Sequence, residues 1–292
     1  MKINRTYLVS IPFTALVYLS EYSYAAGTID ARDFIAAPPG TAVSVLYYGH
    51  QSAHDFAGAP PRGKENLEVN SLLYRQVWYS DVCGNLCTPQ FILPYADINL
   101  RMPGSVDENH ASGIGDPLFG GAFFLFNNPH EKYYSGIMAL VSLPLGEYDS
   151  NSPGTSPGAN RWEVLLTYNN TIGVGENWYL ESNLEAEVYG NNNDYLGETL
   201  EQSPILSAQF TASYDFTSSI YGALSLMYKN GGEIKLNGTK VPDTRLQETR
   251  GSIAFGFDLD RNNKLMISYS SPTNSKNTFR NDEMRVRFSH TW

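Results

Sequence analysis

The strongest constraint on this chain is a rhythm in the lengths of its joints. From residue 41 onward, stretches of alternating apolar and polar residues follow one another with very little helical periodicity between them. Alternation with period two marks strands, whose successive side chains leave on opposite faces. The stretches are 41–49, 69–80, 91–101, 115–126, 133–145, 162–172, 178–189, 205–216, 220–229, 247–258, 264–270 and a last one ending at Trp292. Long joints rich in Gly, Pro and Asn lie at 50–68, 102–114, 146–161, 190–204 and 230–246, with a shorter one at 271–278. Short joints at 81–88, 127–131, 173–177, 217–219 and 259–263 fall between them. A soluble sandwich has no reason to sort its joints by parity. An outer-membrane barrel does, because its periplasmic turns are short and its extracellular loops are long. The predicted fold is therefore all-β: a transmembrane, antiparallel, up-and-down barrel of about 12 strands, each of about 9–13 residues.

Composition fits such a barrel. The chain holds 20 Tyr, 14 Phe and 4 Trp but only 17% charged residues, rich in aromatics and poor in charge for a soluble domain. A mean hydropathy of −0.31 excludes a helical membrane protein but suits a barrel whose lumen is polar. The net charge of −10 argues against nucleic acid as a partner, which requires basic surface. Residues 1–25 read as a signal peptide, with Lys2 and Arg5 before an apolar core and Ser23-Tyr24-Ala25 as a small-x-small cleavage site. Residues 26–40, broken by Pro38-Pro39-Gly40, are expected to be a periplasmic lead-in. The barrel then occupies 41–292, in the outer membrane of a Gram-negative bacterium.

Charges assign the two faces of a strand, since a charge on the lipid face is costly. On the seventh strand this turns Glu181, Glu185 and Glu187 toward the lumen. On the last it turns Arg285 and Arg287 inward and leaves Met284, Val286, Phe288, His290 and Trp292 outward. The same rule sends Asp97, Asn99 and Arg101 of the third strand inward, and Asp116 of the fourth. The lumen is thus expected to be acidic on one wall and basic on the other. The last strand, with its final aromatic, resembles the C-terminal signature by which the barrel-assembly machinery recognises its clients, although His290 stands where a large apolar residue is commoner. Trp162 and Trp178 sit at strand ends, where an interfacial girdle would place them.

Ala31-Arg32-Asp33, Ala37-Pro38-Pro39-Gly40-Thr41 leading into Val45-Leu46-Tyr47-Tyr48, Ser112-Gly113-Ile114-Gly115-Asp116-Pro117, and Leu143-Pro144-Leu145-Gly146-Glu147-Tyr148-Asp149 follow one another in that order. Together these stretches resemble a bacterial outer-membrane family known as the MetA-pathway of phenol degradation, or phenol-degradation transporter-like, proteins. The resemblance implies a barrel linked, in some members, to uptake of aromatic compounds.

Three constellations invite chemistry. Gly113-Ile114-Gly115-Asp116 reads as a bend in the barrel wall rather than a ligand site. Cys83 and Cys87 flank a short periplasmic joint and are expected to form a disulfide, because the periplasm is oxidising. His50 and Ser52 share one strand face at the outer end of the first strand, as in the catalytic pair of outer-membrane phospholipases and lipid A deacylases, but the sequence offers no third member to orient the His. No cofactor or metal is implied. The expected function is a channel or transporter for small, hydrophobic or aromatic solutes, and the chain is read as a non-enzyme. The alternatives are a lipid hydrolase using His50 and Ser52, or a structural or adhesive barrel acting through its loops. The partners expected are the lipid bilayer, the assembly machinery and a small-molecule solute.

Overall fold

The structure, a computed structural model, describes residues 29–57, 66–82, 84–101 and 108–292. The expected signal at 1–25 lies outside the described residues, and so does Cys83 of the expected disulfide. Twelve long strands among the described residues build the wall: β1 Ala42–Ala53, β2 Asn66–Trp78, β3 Asn85–Arg101, β4 Leu118–Asn128, β5 Tyr133–Ser142, β6 Glu163–Val174, β7 Trp178–Tyr189, β8 Ile205–Thr217, β9 Ile220–Gly231, β10 Leu246–Asp258, β11 Asn263–Lys276 and β12 Asp282–Thr291. Each pairs antiparallel with its sequence neighbours, and β1 pairs with β12 from Val43↔Thr291 to Ser52↔Asp282. That last ladder closes the sheet into a barrel and removes its edges, which a bilayer requires of any strand structure.

The outward face is a belt of exposed apolar side chains, among them Leu46, Leu72, Phe123, Leu166, Leu184, Phe210, Leu226 and Ile267. At the short-turn end, aromatics from neighbouring strands touch: Trp178 with Tyr214, Trp78 with Phe91, and Phe126 with Tyr133. This is the girdle that an interface of water and hydrocarbon favours.

The fourth strand differs from its expected span. Its sequence is split in two against the long β3: Asn109–Ile114 pairs with Tyr95–Leu100, while β4 begins at Leu118 and pairs with Cys87–Ile92. Between them Gly115-Asp116-Pro117 leaves the ladder, where Pro117 has no N–H to offer. The long loops also hold structure. Asn192–Tyr195, Glu198–Gln202, Ile234–Leu236 and Thr239–Lys240 form a four-stranded sheet around Tyr195, Leu200, Ile234 and Leu236. Phe56–Ala57 pairs with Thr278–Phe279 across the outer mouth, where Phe56 and Phe279 meet edge to face, 5.1 Å between centroids.

The segment before β1 is not a lead-in hanging below the barrel. Residues 29–37 turn back into the lumen, where Phe34 packs on Phe124 and joins Leu118, Leu140 and Leu165. Ala31 packs with Ala223, Ala254 and Met266 on the opposite side. The wall's inward side chains leave room, and the alternating charges of Asp30-Ala31-Arg32-Asp33 match what lines it.

Candidate functional site: a lumen threaded by its own chain

The alternation of β7 sets one wall. Tyr179, Glu181, Asn183, Glu185, Glu187 and Tyr189 face the lumen, and Trp178, Leu180, Leu184 and Val188 face out. On β12, Glu283, Arg285, Arg287 and Ser289 face the lumen, with Met284 and Phe288 outside. The acidic and basic walls do not meet. The threaded segment lies between them and presents the opposite charge to each.

Asp30 lies 3.5 Å from Arg285 and 3.3 Å from Arg287. Asp33 lies 2.8 Å from Arg75 of β2 and 3.3 Å from Arg287. On the other wall, both carboxylate oxygens of Glu181 accept the main-chain N–H of Arg32, at 2.9 and 3.0 Å. The Arg32 side chain donates to Ser213 at 2.9 Å and to Asp215 at 2.6 Å, both on β8. Its guanidinium lies over the rings of Tyr221, 4.0 Å from the centroid, and Tyr179, 4.7 Å away. Gln209 of β8 brackets Ile29, accepting its N–H and donating to its carbonyl. Arg32 has φ of 68°, a left-handed conformation that a residue with a Cβ seldom adopts. The bidentate grip of Glu181 compensates that strain.

Burial pushes the Asp33 carboxyl up, but Arg75 and Arg287 outweigh it and hold the group below the ordinary 3.8. Asp33 therefore stays charged, and the ion lattice intact, through the neutral range.

Beside the segment, toward the short-turn end, lies a cavity of about 390 Å³. Arg32, Tyr79, Tyr179, Tyr221, Phe257 and Met266 are among its lining residues. An engineered apolar cavity of about 150 Å³ is large enough for benzene, so a one-ring solute fits with room to spare. Of the other acidic residues, Glu185 accepts from Thr167 at 2.7 Å, and Glu187 pairs with Lys229 at 2.8 Å.

Three of the site residues expected in the lumen lie elsewhere or do something else. Asp97 and Arg101 are on the outward face of β3, alternating with Ala96, Ile98 and Leu100, which are buried inside the barrel. Asp97 pairs with His110 at 3.0 Å and Arg101 with Glu108 at 2.6 Å. The rule that sends charges inward holds only within the hydrocarbon, and this end of β3 stands above it. Asp116 is buried but lines no channel: its carboxylate accepts the N–H of Gly146 and of Ala159, each at 2.7 Å. It thereby clasps Gly146 and Ala159 against the bend, where added Cβ atoms on Gly146 and Gly158 would collide. Two separated motifs meet here, since Glu147 also donates its N–H to the Ile114 carbonyl at 2.8 Å and accepts the Ile114 N–H at 3.2 Å. Sequence reasoning passed over Asp30, Arg32 and Asp33; the signal was an alternation of charges in a segment preceding a barrel with inward arginines.

Among the described residues, no group of three or more His, Cys, Asp and Glu is placed to hold a metal ion. The profile of the MetA-pathway of phenol degradation family matches residues 40–288. Among solved structures, the chain is similar to an outer-membrane channel from Pseudomonas putida F1, with TM-score 0.83 and 22% identity over 91% of this chain and 100% of that one. It is more distantly similar to the transport unit of the autotransporter AIDA-I from Escherichia coli, with TM-score 0.57 and 9% identity over 94% and 97% of the two chains. The translocator domain of the autotransporter NalP from Neisseria meningitidis gives TM-score 0.54 and 8% identity over 87% and 89%. The sequence has no match among proteins of curated function.

Proposed function

The chain belongs to the MetA-pathway of phenol degradation family, and from that premise we propose that it is an outer-membrane channel for small hydrophobic or aromatic compounds, closed at rest by its own residues 29–37. The closed barrel and the family put it in the Gram-negative outer membrane. The observation that carries the proposal is the threaded segment. A purely structural barrel would fill its lumen with wall side chains, whereas here a separable strand of chain fills it and is tied in by ion pairs that can be exchanged. The adjoining cavity, with three tyrosines and a methionine, suits a one-ring solute and offers polar partners for a hydroxyl.

Deleting residues 29–37 while keeping the wall intact tests the reading. Planar-bilayer conductance should rise several-fold above the intact protein, and liposomes carrying the shortened protein should take up phenol faster. A shortened protein that inserts normally yet shows unchanged conductance and uptake would sink the proposal.

A further inference from the structure

On the flank built by β1, β2 and β3, the outward face changes character along one line. The cross-strand row Tyr48–Leu72–Tyr95–Ile114 is apolar and exposed. The next row outward is His50–Asn70–Asp97–Ser112, and the one beyond is Ser52–Glu68–Asn99–His110. Apolar side chains belong in hydrocarbon and such polar rows do not, so the boundary between the rows marks the outer interface. Lipid acyl esters lie at that depth, between the hydrocarbon core and the headgroups.

His50 stands on this line and is held. Its Nδ1 lies 2.9 Å from Asn70 Oδ1, and the Tyr48 hydroxyl donates to the same oxygen at 3.1 Å. An amide oxygen can only accept, so Nδ1 donates in this bond and Nε2 is the ring nitrogen left for a second partner. Ser52 follows two residues later on the same face, about 6.6 Å along the strand, a distance that an imidazole and a hydroxymethyl group together span. A serine beside a histidine whose far nitrogen is fixed by an acceptor is the arrangement that activates a hydroxyl for acyl transfer. The acceptor was invisible in the sequence because Asn70 is on another strand and only the register brings it to His50.

We propose that Ser52, His50 and Asn70 form a serine acyl-hydrolase site on the outer wall, acting on carboxylic esters of lipids in the outer leaflet. Ser52 Oγ attacks the ester carbonyl carbon while its proton passes to His50 Nε2. The ester C–O bond then breaks, and the leaving alcohol takes that proton. Water attacks the resulting acyl-serine, gives a proton to Nε2, and the fatty acid leaves as Ser52 recovers its hydrogen. The net reaction is ester plus water to acid plus alcohol. Asn70 is a positioning residue. Glu68 and Asp282 lie across the ladder from Ser52 on either side, which favours zwitterionic over anionic headgroups. This activity is independent of the lumen and does not depend on the channel reading.

The test uses the full-length protein in detergent with a fluorophosphonate probe and with mixed micelles of dioleoylphosphatidylcholine. The intact protein should be labelled on Ser52, as mass spectrometry of its peptides reads, and should release oleate. Ser52→Ala should abolish labelling at that peptide and lower oleate release by about a thousandfold or more, with heat-modifiable gel mobility showing that the barrel still folds. Asn70→Ala should lower the rate by roughly tenfold to a hundredfold, and Asn70→Asp, which can still accept from Nδ1, should recover most of it. Intact protein that is neither labelled on Ser52 nor active, or a Ser52→Ala protein that releases oleate as fast as the intact one, would overturn the proposal. Should Ser52→Ala fail to fold, labelling of the intact protein alone decides.

Discussion

Two flanks of one barrel carry opposite polarity. On β6 and β7 the lumen face is polar, with Glu163, Thr167, Asn169, Glu181, Asn183 and Glu187 buried, and the outward face shows Val164, Leu166, Leu180, Leu184 and Val188. At the outer ends of β2 and β3 the pattern inverts. Leu67, Val69, Ala96, Ile98 and Leu100 are buried inside with Phe56 and Phe279, while Asn66, Glu68, Asn70, Asp97, Asn99 and Arg101 face out. Both flanks obey the same physics in different solvents. Where hydrocarbon surrounds the wall, apolar side chains go outward and the lumen is polar. Where the wall rises into water, its outside is polar and the mouth holds an ordinary apolar core. The inversion therefore measures how far β2 and β3 project beyond the bilayer.

The largest effect expected comes from placing one charge on each flank. Leu184→Arg puts a guanidinium on the lipid face and should destabilise the barrel by about 2–4 kcal/mol near mid-membrane. Asn99→Arg makes the same charge face out on the projecting flank, and a surface substitution of that kind should stay within about 0.5 kcal/mol. Heat-modifiable mobility and urea-induced unfolding of the two variants provide the comparison. Equal losses would mean that both positions meet the same solvent, and the inversion would lose its explanation.

A second expectation concerns the segment that separates the walls. Asp33→Asn keeps the size of the side chain but removes its charge, weakening its bonds to Arg75 and Arg287, at a cost of about 1.5–3 kcal/mol for charge-assisted hydrogen bonds. The barrel should still assemble, since its ladders are untouched, but conductance should rise. Acid should do the same. Asp33 is depressed below its ordinary 3.8, so its contribution to the seat is fully present above that value and is lost as pH falls through the lower one. Conductance should thus hold steady from neutral pH down to about 4 and increase only below it. Opening between pH 7 and 5 would point to a different latch.

How legible all this was in the sequence varied by region for physical reasons. The alternation of Trp178–Tyr189 was readable because both faces of that strand keep one solvent along their whole length. Asp97 and Arg101 misled because the strand changes solvent partway, and alternation carries no mark of depth. The threaded segment had no strand or helix period, and its short alternation of charge did not show which wall residues it would meet, since those come from strands far along the chain. The clasp around Asp116 united two motifs that lie 30 residues apart, and Asn70 reached His50 only through the β1–β2 register.

A smaller effect is expected at Glu185, which faces the lumen on the polar flank and accepts one bond from Thr167. Glu185→Gln retains that acceptor and the side chain's shape. Folding should change by less than about 1 kcal/mol, while the ratio of cation to anion permeability, read from reversal potentials in a salt gradient, should fall, because a luminal charge acts across a narrow passage. A folding defect without any change in selectivity would mean that Glu185 is structural.

The smallest effect is expected from Asp97→Asn, which is why it discriminates. Had Asp97 lined the lumen, losing its charge would shift selectivity as at Glu185. On the outward face it can touch permeating ions only through water and the barrel wall, and ionic screening confines exposed charges to a range of about 8 Å at physiological salt. Its partner His110 is 54% exposed and Asp97 itself 37%, so the pair contributes at most about 1 kcal/mol before screening and less after it. Reversal potential and unfolding midpoint should therefore both match the intact protein, while Glu185→Gln measured beside it shifts the first. A selectivity change at Asp97 as large as that at Glu185 would return Asp97 to the lumen and move the whole of β3 by one residue, turning Ile98 and Leu100 out of their core. The buried pairing of those two with Leu67 and Val69 is the reason to expect the opposite.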